Sequence, residues 1–266
     1  MSAVVYAVAN QKGGVAKTTT TASLGAALRA RGLNVLVVDL DPQACLTFSL
    51  GFDPDALSPT LHEVVTGRQS LASTVLSHDE CDLAPANLDL SGAEVALLSR
   101  TGREYVLRAQ IEDLRDSYDA IFLDCPPSLG VMTLNGLTAA DQVVIPVQCE
   151  TLSHRGVSQL LETIADVQHL TNRQLKVAGL VATMYDGRTI HARAVLEDVQ
   201  TRYDLALIGV PVRKSVRFAE APNSGRTILA HAPRTPGAAA YRVIAAQLHG
   251  LTVRKADRDL ATGTTS

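Results

Sequence analysis

Short apolar runs recur along this chain, and longer segments with helical spacing separate them. The runs are Val4–Ala9 (VVYAVA), Val35–Asp39 (VLVVD), Ala120–Asp124 (AIFLD), Val143–Val147 (VVIPV), Val177–Thr183 (VAGLVAT) and Leu205–Val210 (LALIGV). Each is short, aliphatic and of strand length. Thr21–Ala30, Gly156–Leu170 and Ile190–Tyr203 instead have the length and spacing of helices. Strands alternating with helices predict βαβ units. The expected fold class is α/β: a mainly parallel, twisted sheet with helices on both faces. Gly32 follows a helix ending in Arg29 and Arg31, a suitable helix stop. Thr60 and Glu63 have the spacing of a capping box for a short helix. Residues 51–100 are less regular and predict small helices on one side. No Pro-rich or Gly/Ser-rich linker and no internal repeat divides the chain. One domain over residues 1–250 is expected, with residues 251–266 as a polar tail, frayed from Val253 onward.

Composition sharpens this outline. Of 266 residues, 46% are hydrophobic but only 4% aromatic, with no Trp. The core must therefore be aliphatic, which suits buried parallel strands and their covering helices. The net charge of −3 and pI near 6.2 argue against a nucleic-acid polycation, so any DNA contact needs a local patch. The four cysteines share no C-x-x-C or zinc-like spacing, which predicts reduced thiols in a cytoplasmic protein. No leader sequence and no membrane-length apolar run is expected.

The chemistry concentrates after the first strand, in Gln11–Thr20 (QKGGVAKTTT). Strand, glycine turn and helix form a setting in which backbone N–H groups and a helix N-terminus cradle phosphates. The general phosphate-loop pattern places glycines where this chain has Gln11 and Ala16; here the glycines are Gly13 and Gly14, and an extra lysine, Lys12, precedes them. Gly13 and Gly14 let the backbone approach phosphates. Lys17 is expected to bridge the β- and γ-phosphates, Thr18 to offer its hydroxyl to Mg2+, and Thr19 to reach the α-phosphate. With Val15 and Ala16 these complete the expected phosphate-binding set. Lys12 is poorly placed to serve its own loop and is expected to reach a phosphate held by another subunit.

Two aspartate-tipped strands follow. Val38–Gln43 (VDLDPQ) offers Asp41 to position the attacking water, with Asp39 supporting the Mg2+ shell or the loop. Ile121–Ser128 (IFLDCPPS) ends its strand in Asp124, a candidate Mg2+ residue with Thr18 and Asp41. Strand ends are where open α/β sheets bind ligands. The segment from Asp186 to Arg242 carries nine Lys or Arg against five Asp or Glu, a local +4. With no interleaved aromatics, contacts there are expected to reach DNA phosphates without sequence preference.

With these residues in view, the chain resembles the ParA/Soj family of DNA-partitioning ATPases, within the MinD/ParA group with a deviant Walker A loop. The resemblance spans residues 3–250 and rests on NQKGGVAKTTT, VDLDPQ, LDCPPSL, TLNGLTAAD, VIPVQCE, TMYDGRT and PVRKSVRFAEAP, followed by TILAHAP and GAAAYR. It implies a P-loop ATPase using ATP and Mg2+ that forms an ATP-sandwich homodimer, with Lys12 crossing to the partner's nucleotide. It also implies non-specific binding to double-stranded DNA in the ATP state, a nucleoid-associated location, and a ParB-like partner that stimulates hydrolysis. Lys12, Lys17 and Asp41 would be catalytic. Met184 and the turn Pro211–Arg213 would hold adenine, and Arg188, Arg213, Arg217 and Arg226 would serve DNA. Three departures stand out. Ala16 replaces the glycine before the Walker lysine, at a cost of about 1 kcal/mol if the position needs a positive φ. The first strand follows closely on Met1, so the N-terminal DNA-binding domain of longer plasmid types is not expected. Cys45 follows the Asp41 motif where small polar residues or glycine are usual. A MinD-like membrane switch would need a C-terminal amphipathic helix with bulky apolar and basic faces. An iron–sulfur reductase would need glycine-rich cysteine settings, and a metabolic phosphoryl-transfer enzyme a second-substrate pocket. None of these features is evident.

Overall fold

The computed structural model describes residues 2–150 and 153–263. Six parallel strands form one sheet: β1 (Val4–Val8), β2 (Val35–Asp39), β3 (Asp82–Ala84), β4 (Ala120–Asp124), β5 (Gln142–Gln148) and β6 (Lys176–Thr183), in the order β3-β2-β4-β1-β5-β6. β1 pairs with both β4 and β5, so the loops leaving β1, β2 and β4 converge at one end of the sheet.

Alternate residues feed opposite faces. Val5, Ala7, Leu36, Val38, Ile121, Leu123, Val143 and Ile145 enter one buried cluster. Tyr6, Val8, Val35, Val37, Phe122 and Val144 enter the other. The helices Val131–Ala139 and Ser153–Leu170 contribute to the first cluster. The helices Lys17–Arg29 and Pro236–Leu248 contribute to the second. Covering both faces explains why the strands read as continuous apolar runs. Tyr6 stacks on Phe122 at 4.9 Å between ring centroids, and Phe218 and Tyr241 add an edge-to-face pair at 6.0 Å to the same layer. Among the described residues, no helix is long and apolar enough to cross a membrane.

Five expected strands form, and Ile190–Tyr203 is a helix with those bounds. The Thr60–Glu63 capping box closes, with Glu63 accepting from the Thr60 N–H at 2.7 Å. Leu205–Val210 is a correction. It makes only a bridge from Leu207 to Leu180, because Gly209 turns at φ +69 and its N–H goes to Gln247. The residue after the run is Pro211, which has no N–H to extend a ladder. β3 was not expected from the pattern. The tail reading is also corrected: Lys255–Thr262 is a helix on the flank of Pro236–Leu248. Ala261 is buried there, Leu260 packs on the second cluster, and Asp257 meets Arg242 at 3.3 Å. The final residues, 264–266, lie outside the described residues.

Candidate functional site

The loop between β1 and the helix Lys17–Arg29 is held in shape by its own neighbours. Asn10 donates its side-chain amide to the Pro146 carbonyl at 2.7 Å and accepts the Lys12 N–H at 2.9 Å. Val15 is buried, and its carbonyl accepts the Thr183 hydroxyl at 3.0 Å. A Cβ at Gly156 would lie 2.8 Å from Asn10 Oδ1, so the neighbouring helix must present glycine there. Gly14 turns at φ +73, whereas a Cβ at Gly13 or Gly14 would meet no atom within 4 Å. The concave side of the loop is therefore open, with backbone N–H groups and a helix N-terminus around it, a geometry suited to phosphate oxygens.

Ala16 sits at φ 64 and ψ 36 as the N-cap of that helix, with no side-chain cap. The left-handed backbone that the sequence raised as a condition is present, on a residue with a Cβ. Ala44 (φ 51) and Met184 (φ 48) share this conformation, and both border the same end of the sheet. Three of the four non-glycine residues with positive φ among those described thus surround the site.

Lys17 is buried and hydrogen-bonds the Lys12 carbonyl at 3.3 Å. Burial lowers its pKa, opposed by Asp124, Cys125 and Asp41, so these groups face one site. The Thr18 hydroxyl donates to Asp124 at 2.7 Å, and the Thr21 hydroxyl to its other oxygen at 3.0 Å. Asp124 is pushed up to about 8 by burial and then by the charge of Asp39, its register partner across the sheet. A buried carboxylate so disfavoured as an anion, beside a threonine hydroxyl, is a donor set that a divalent cation would satisfy. Thr18 and Asp124 fit Mg2+ on that ground.

Asp39 does not face the phosphate loop. It is fully buried and accepts from the Thr47 N–H at 2.9 Å, the Thr47 hydroxyl at 2.8 Å and the Asp41 N–H at 3.2 Å. It ties down the segment that carries Asp41. Asp41 is half-buried, and its carboxylate accepts the Gln43 N–H at 2.9 Å. The strand stops at Asp39, so Asp41 stands on a turn rather than on a continued strand.

Lys12 turns away from its own loop and meets Glu150, just beyond β5, at 3.1 Å. A cavity of about 380 Å³ opens beside the loop, lined by Gly14, Ala16, Thr19, Met184, Val212 and Arg213. Tyr185 and Val212 are joined by an N–H to carbonyl bond of 2.9 Å, which brings the end of β6 to the 211–213 turn. Pro211 precedes this wall and does not line it. The size and apolar walls suit a planar base.

The candidate DNA arginines do not form one cluster. Arg188 and Arg213 share a cleft of about 610 Å³ with Lys214, while Arg226 borders a separate small groove with Thr19. Arg188 pairs with Asp186 and Arg217 with Glu220, each at 2.8 Å; Arg213 donates to the Thr262 carbonyl at 3.3 Å. All four are exposed. The sequence reading did not single out Thr21 or Glu150. Thr21 had a signal, since it lies one helical turn after Thr18 and so shares its face. Glu150 had none, because its meeting with Lys12 is purely tertiary.

A family model described as an AAA domain matches residues 3–177. The sporulation initiation inhibitor protein Soj of Bacillus subtilis is 38% identical over 92% of this chain and 97% of its own length. The chromosome partitioning protein ParA of Caulobacter vibrioides is 38% identical over 92% of this chain and 93% of its own. A Mycobacterium smegmatis protein named cobyrinic acid a,c-diamide synthase, solved with an ATP analogue and magnesium, is 51% identical with a TM-score of 0.81, covering 91% of this chain and 93% of that one.

Proposed function

The chain belongs to the ParA/Soj family of P-loop ATPases, with ATP and Mg2+ as its cofactors, and from that premise we propose that it is a nucleotide-gated switch for partitioning DNA. In this reading ATP joins two copies into a homodimer, the dimer binds double-stranded DNA without sequence preference, and a ParB-like partner stimulates hydrolysis. The ATPase unit spans residues 1–250, and the protein works in the cytoplasm on the nucleoid. The observation that carries the reading is the division of labour between two lysines. Lys17 is buried against its own loop, while Lys12 points away to Glu150, free of any bond to the loop's concave side.

Each residue then has a task. Backbone N–H groups from Gly13 to Thr19 hold the phosphates, and Lys17 supplies the charge that follows the transferred one. Thr18 and Asp124 would hold Mg2+, which would supply neutralisation of the phosphate charge. Asp41, on a turn pinned by Asp39 and Thr47, orients the attacking water. Met184, Val212 and the neighbouring Pro211 and Arg213 border the base. Lys12 leaves Glu150 and reaches the partner's nucleotide.

The test is binding of random-sequence DNA in ADP, ATP and a non-hydrolysable analogue. Binding confined to the triphosphate states is expected, with an affinity that falls steeply with salt. Arg217→Glu is expected to weaken it while leaving the dimer intact. Equal binding in ADP and ATP would refute the gate. The name of the M. smegmatis protein supports a second reading, use of ATP to amidate carboxylates. ATP turnover that requires cobyrinic acid and an ammonia donor, and ignores DNA, would decide for it.

A further inference from the structure

The segment after the helix Pro236–Leu248 is fastened to the body of the protein at several points. Leu251, Val253 and Leu260 pack on the second buried cluster, and Ala261 is 4% exposed. Two arginines of the body hold the segment from outside. Arg31 donates to the Thr252 carbonyl at 3.1 Å, and Arg242 meets Asp257 at 3.3 Å. The helix Lys255–Thr262 therefore ends at a defined place. The last carbonyls of a helix have no partner within it, and such a terminus attracts a cation.

Arg213 supplies that cation. It donates to the Thr262 carbonyl at 3.3 Å, and a Cβ on Gly263 would lie 3.9 and 4.0 Å from two of its guanidinium nitrogens. No carboxylate pairs with Arg213 among the described residues. Its backbone is fixed as well. Tyr185 and Arg213 form a parallel bridge, and the Tyr185 N–H donates to the Val212 carbonyl at 2.9 Å. An exposed arginine is thus held at both ends. The same residue lines the cavity of about 380 Å³ beside the phosphate loop, with Met184 and Val212. A long side chain loses rotamer freedom when a ligand engages it, and one already held loses less.

We propose that the helix Lys255–Thr262 is a positioning element for nucleotide binding, which holds the Arg213 guanidinium at the base end of the cavity, ready to cover a planar base. A planar guanidinium suits this task because it stacks on aromatic faces. The inference rests on the nucleotide site described above and gives the C-terminal helix a role beyond covering the sheet. The base is common to ATP and ADP, so the effect is the same for both. An arginine that met the γ-phosphate would instead separate them.

The experiment is calorimetry on the full chain with Mg2+, for ADP and for a non-hydrolysable ATP analogue. Ala261→Glu places a charge under the helix and undocks it, which faster hydrogen exchange over residues 255–262 verifies. Asp257→Arg sets like charges together at Arg242 and undocks the helix by a second route. Each variant is expected to weaken both nucleotides equally, by about twofold to tenfold, the scale of ordering one long side chain. Arg213→Ala is expected to weaken both at least as much. The deciding variant combines Ala261→Glu with Arg213→Ala. It should bind no more weakly than Arg213→Ala alone, because the helix acts only through that arginine. Additive losses would mark general destabilisation and overturn the proposal, as would unchanged affinity in both undocked variants. A loss confined to the triphosphate overturns it, and so does altered DNA binding at unchanged nucleotide affinity, since either assigns Arg213 to another ligand group. A wild-type chain that binds neither nucleotide refutes the nucleotide site itself, and the inference with it.

Discussion

Replacing Ala16 with glycine is expected to stabilise the nucleotide-free protein. Ala16 holds φ 64 and ψ 36, caps the helix Lys17–Arg29 without a side-chain bond, and accepts the Thr20 N–H at 2.9 Å. An L-residue in this region costs about 1–2 kcal/mol relative to its right-handed conformation. Glycine removes that strain but loses about 0.5–1 kcal/mol through the greater freedom of the unfolded chain. The methyl group is only half-buried, so little apolar burial is lost with it. The net gain is about 0.5–1 kcal/mol. At about 2–4 °C per kcal/mol for chains of this size, the melting temperature should rise by about 1–4 °C. Urea unfolding, without nucleotide and at low protein concentration to exclude linkage to dimerisation, should show a higher midpoint at unchanged slope. Ala44→Gly is the control. Ala44 has φ 51, but its side chain is 2% exposed, so lost burial offsets more of the relief. An Ala16→Gly midpoint at or below wild type would refute the claim that the loop stores strain at this residue.

Four further outcomes follow from the site and its surroundings. Lys12→Ala should still bind ATP yet stay monomeric by light scattering; a normal ATP-dependent dimer would exclude the cross-subunit role. Asp41→Ala should bind ATP and dimerise while losing about 10²–10⁴ in hydrolysis. Asp39→Ala should instead lower the unfolding midpoint, by orphaning the Thr47 hydroxyl and amide, and the reverse pattern would exchange their roles. His249 is partly buried 3.1 Å from the Tyr6 hydroxyl, and burial lowers its pKa. The unfolded chain then binds the proton more readily, so this contribution is complete above about pH 6.5 and is lost as pH falls below it. His249→Gln should flatten the acid side of a stability–pH profile, and an unchanged profile would remove His249 from the account.

The sequence disclosed what depends on local pattern. Five strands were visible because burial on both faces makes them continuous apolar runs. The loop was visible because glycines and lysines at fixed spacing have few other uses. β3 was invisible because three residues, Asp82–Ala84, carry no periodicity. Leu205–Val210 looked like a strand by composition, yet Gly209 and Pro211 deny it a ladder. Polarity misled at Lys255–Thr262, where Leu260, Ala261 and the Arg242–Asp257 pair hold a helix against the body of the protein. Asp41 was assigned the water and Asp39 the Mg2+ shell or the loop, but the pattern could not show how the two carboxylates part. Only the backbone turn after Asp39 sends one to the interior and the other toward the ligand face.

What the sheet contributes to function is rigidity against which an unfavourable site can be held. Asp124 is buried next to Asp39, Lys17 is buried with a single carbonyl, and Ala16, Ala44 and Met184 hold left-handed backbones. None of these choices favours the empty protein. Each is placed at the end of β1, β2, β4 or β6, whose interiors are aliphatic and satisfied. A triphosphate with its cation would reverse several of these costs together: charge opposite Lys17, a metal for Asp124, and phosphate oxygens for the open amides of the loop. The same site therefore reports occupancy through stability. Lys12 adds the remaining element. Its pair with Glu150 is exposed and so is worth little, on the order of 0–1 kcal/mol. A partner's phosphate could displace that pair at small cost, as the proposed cross-subunit role of Lys12 requires.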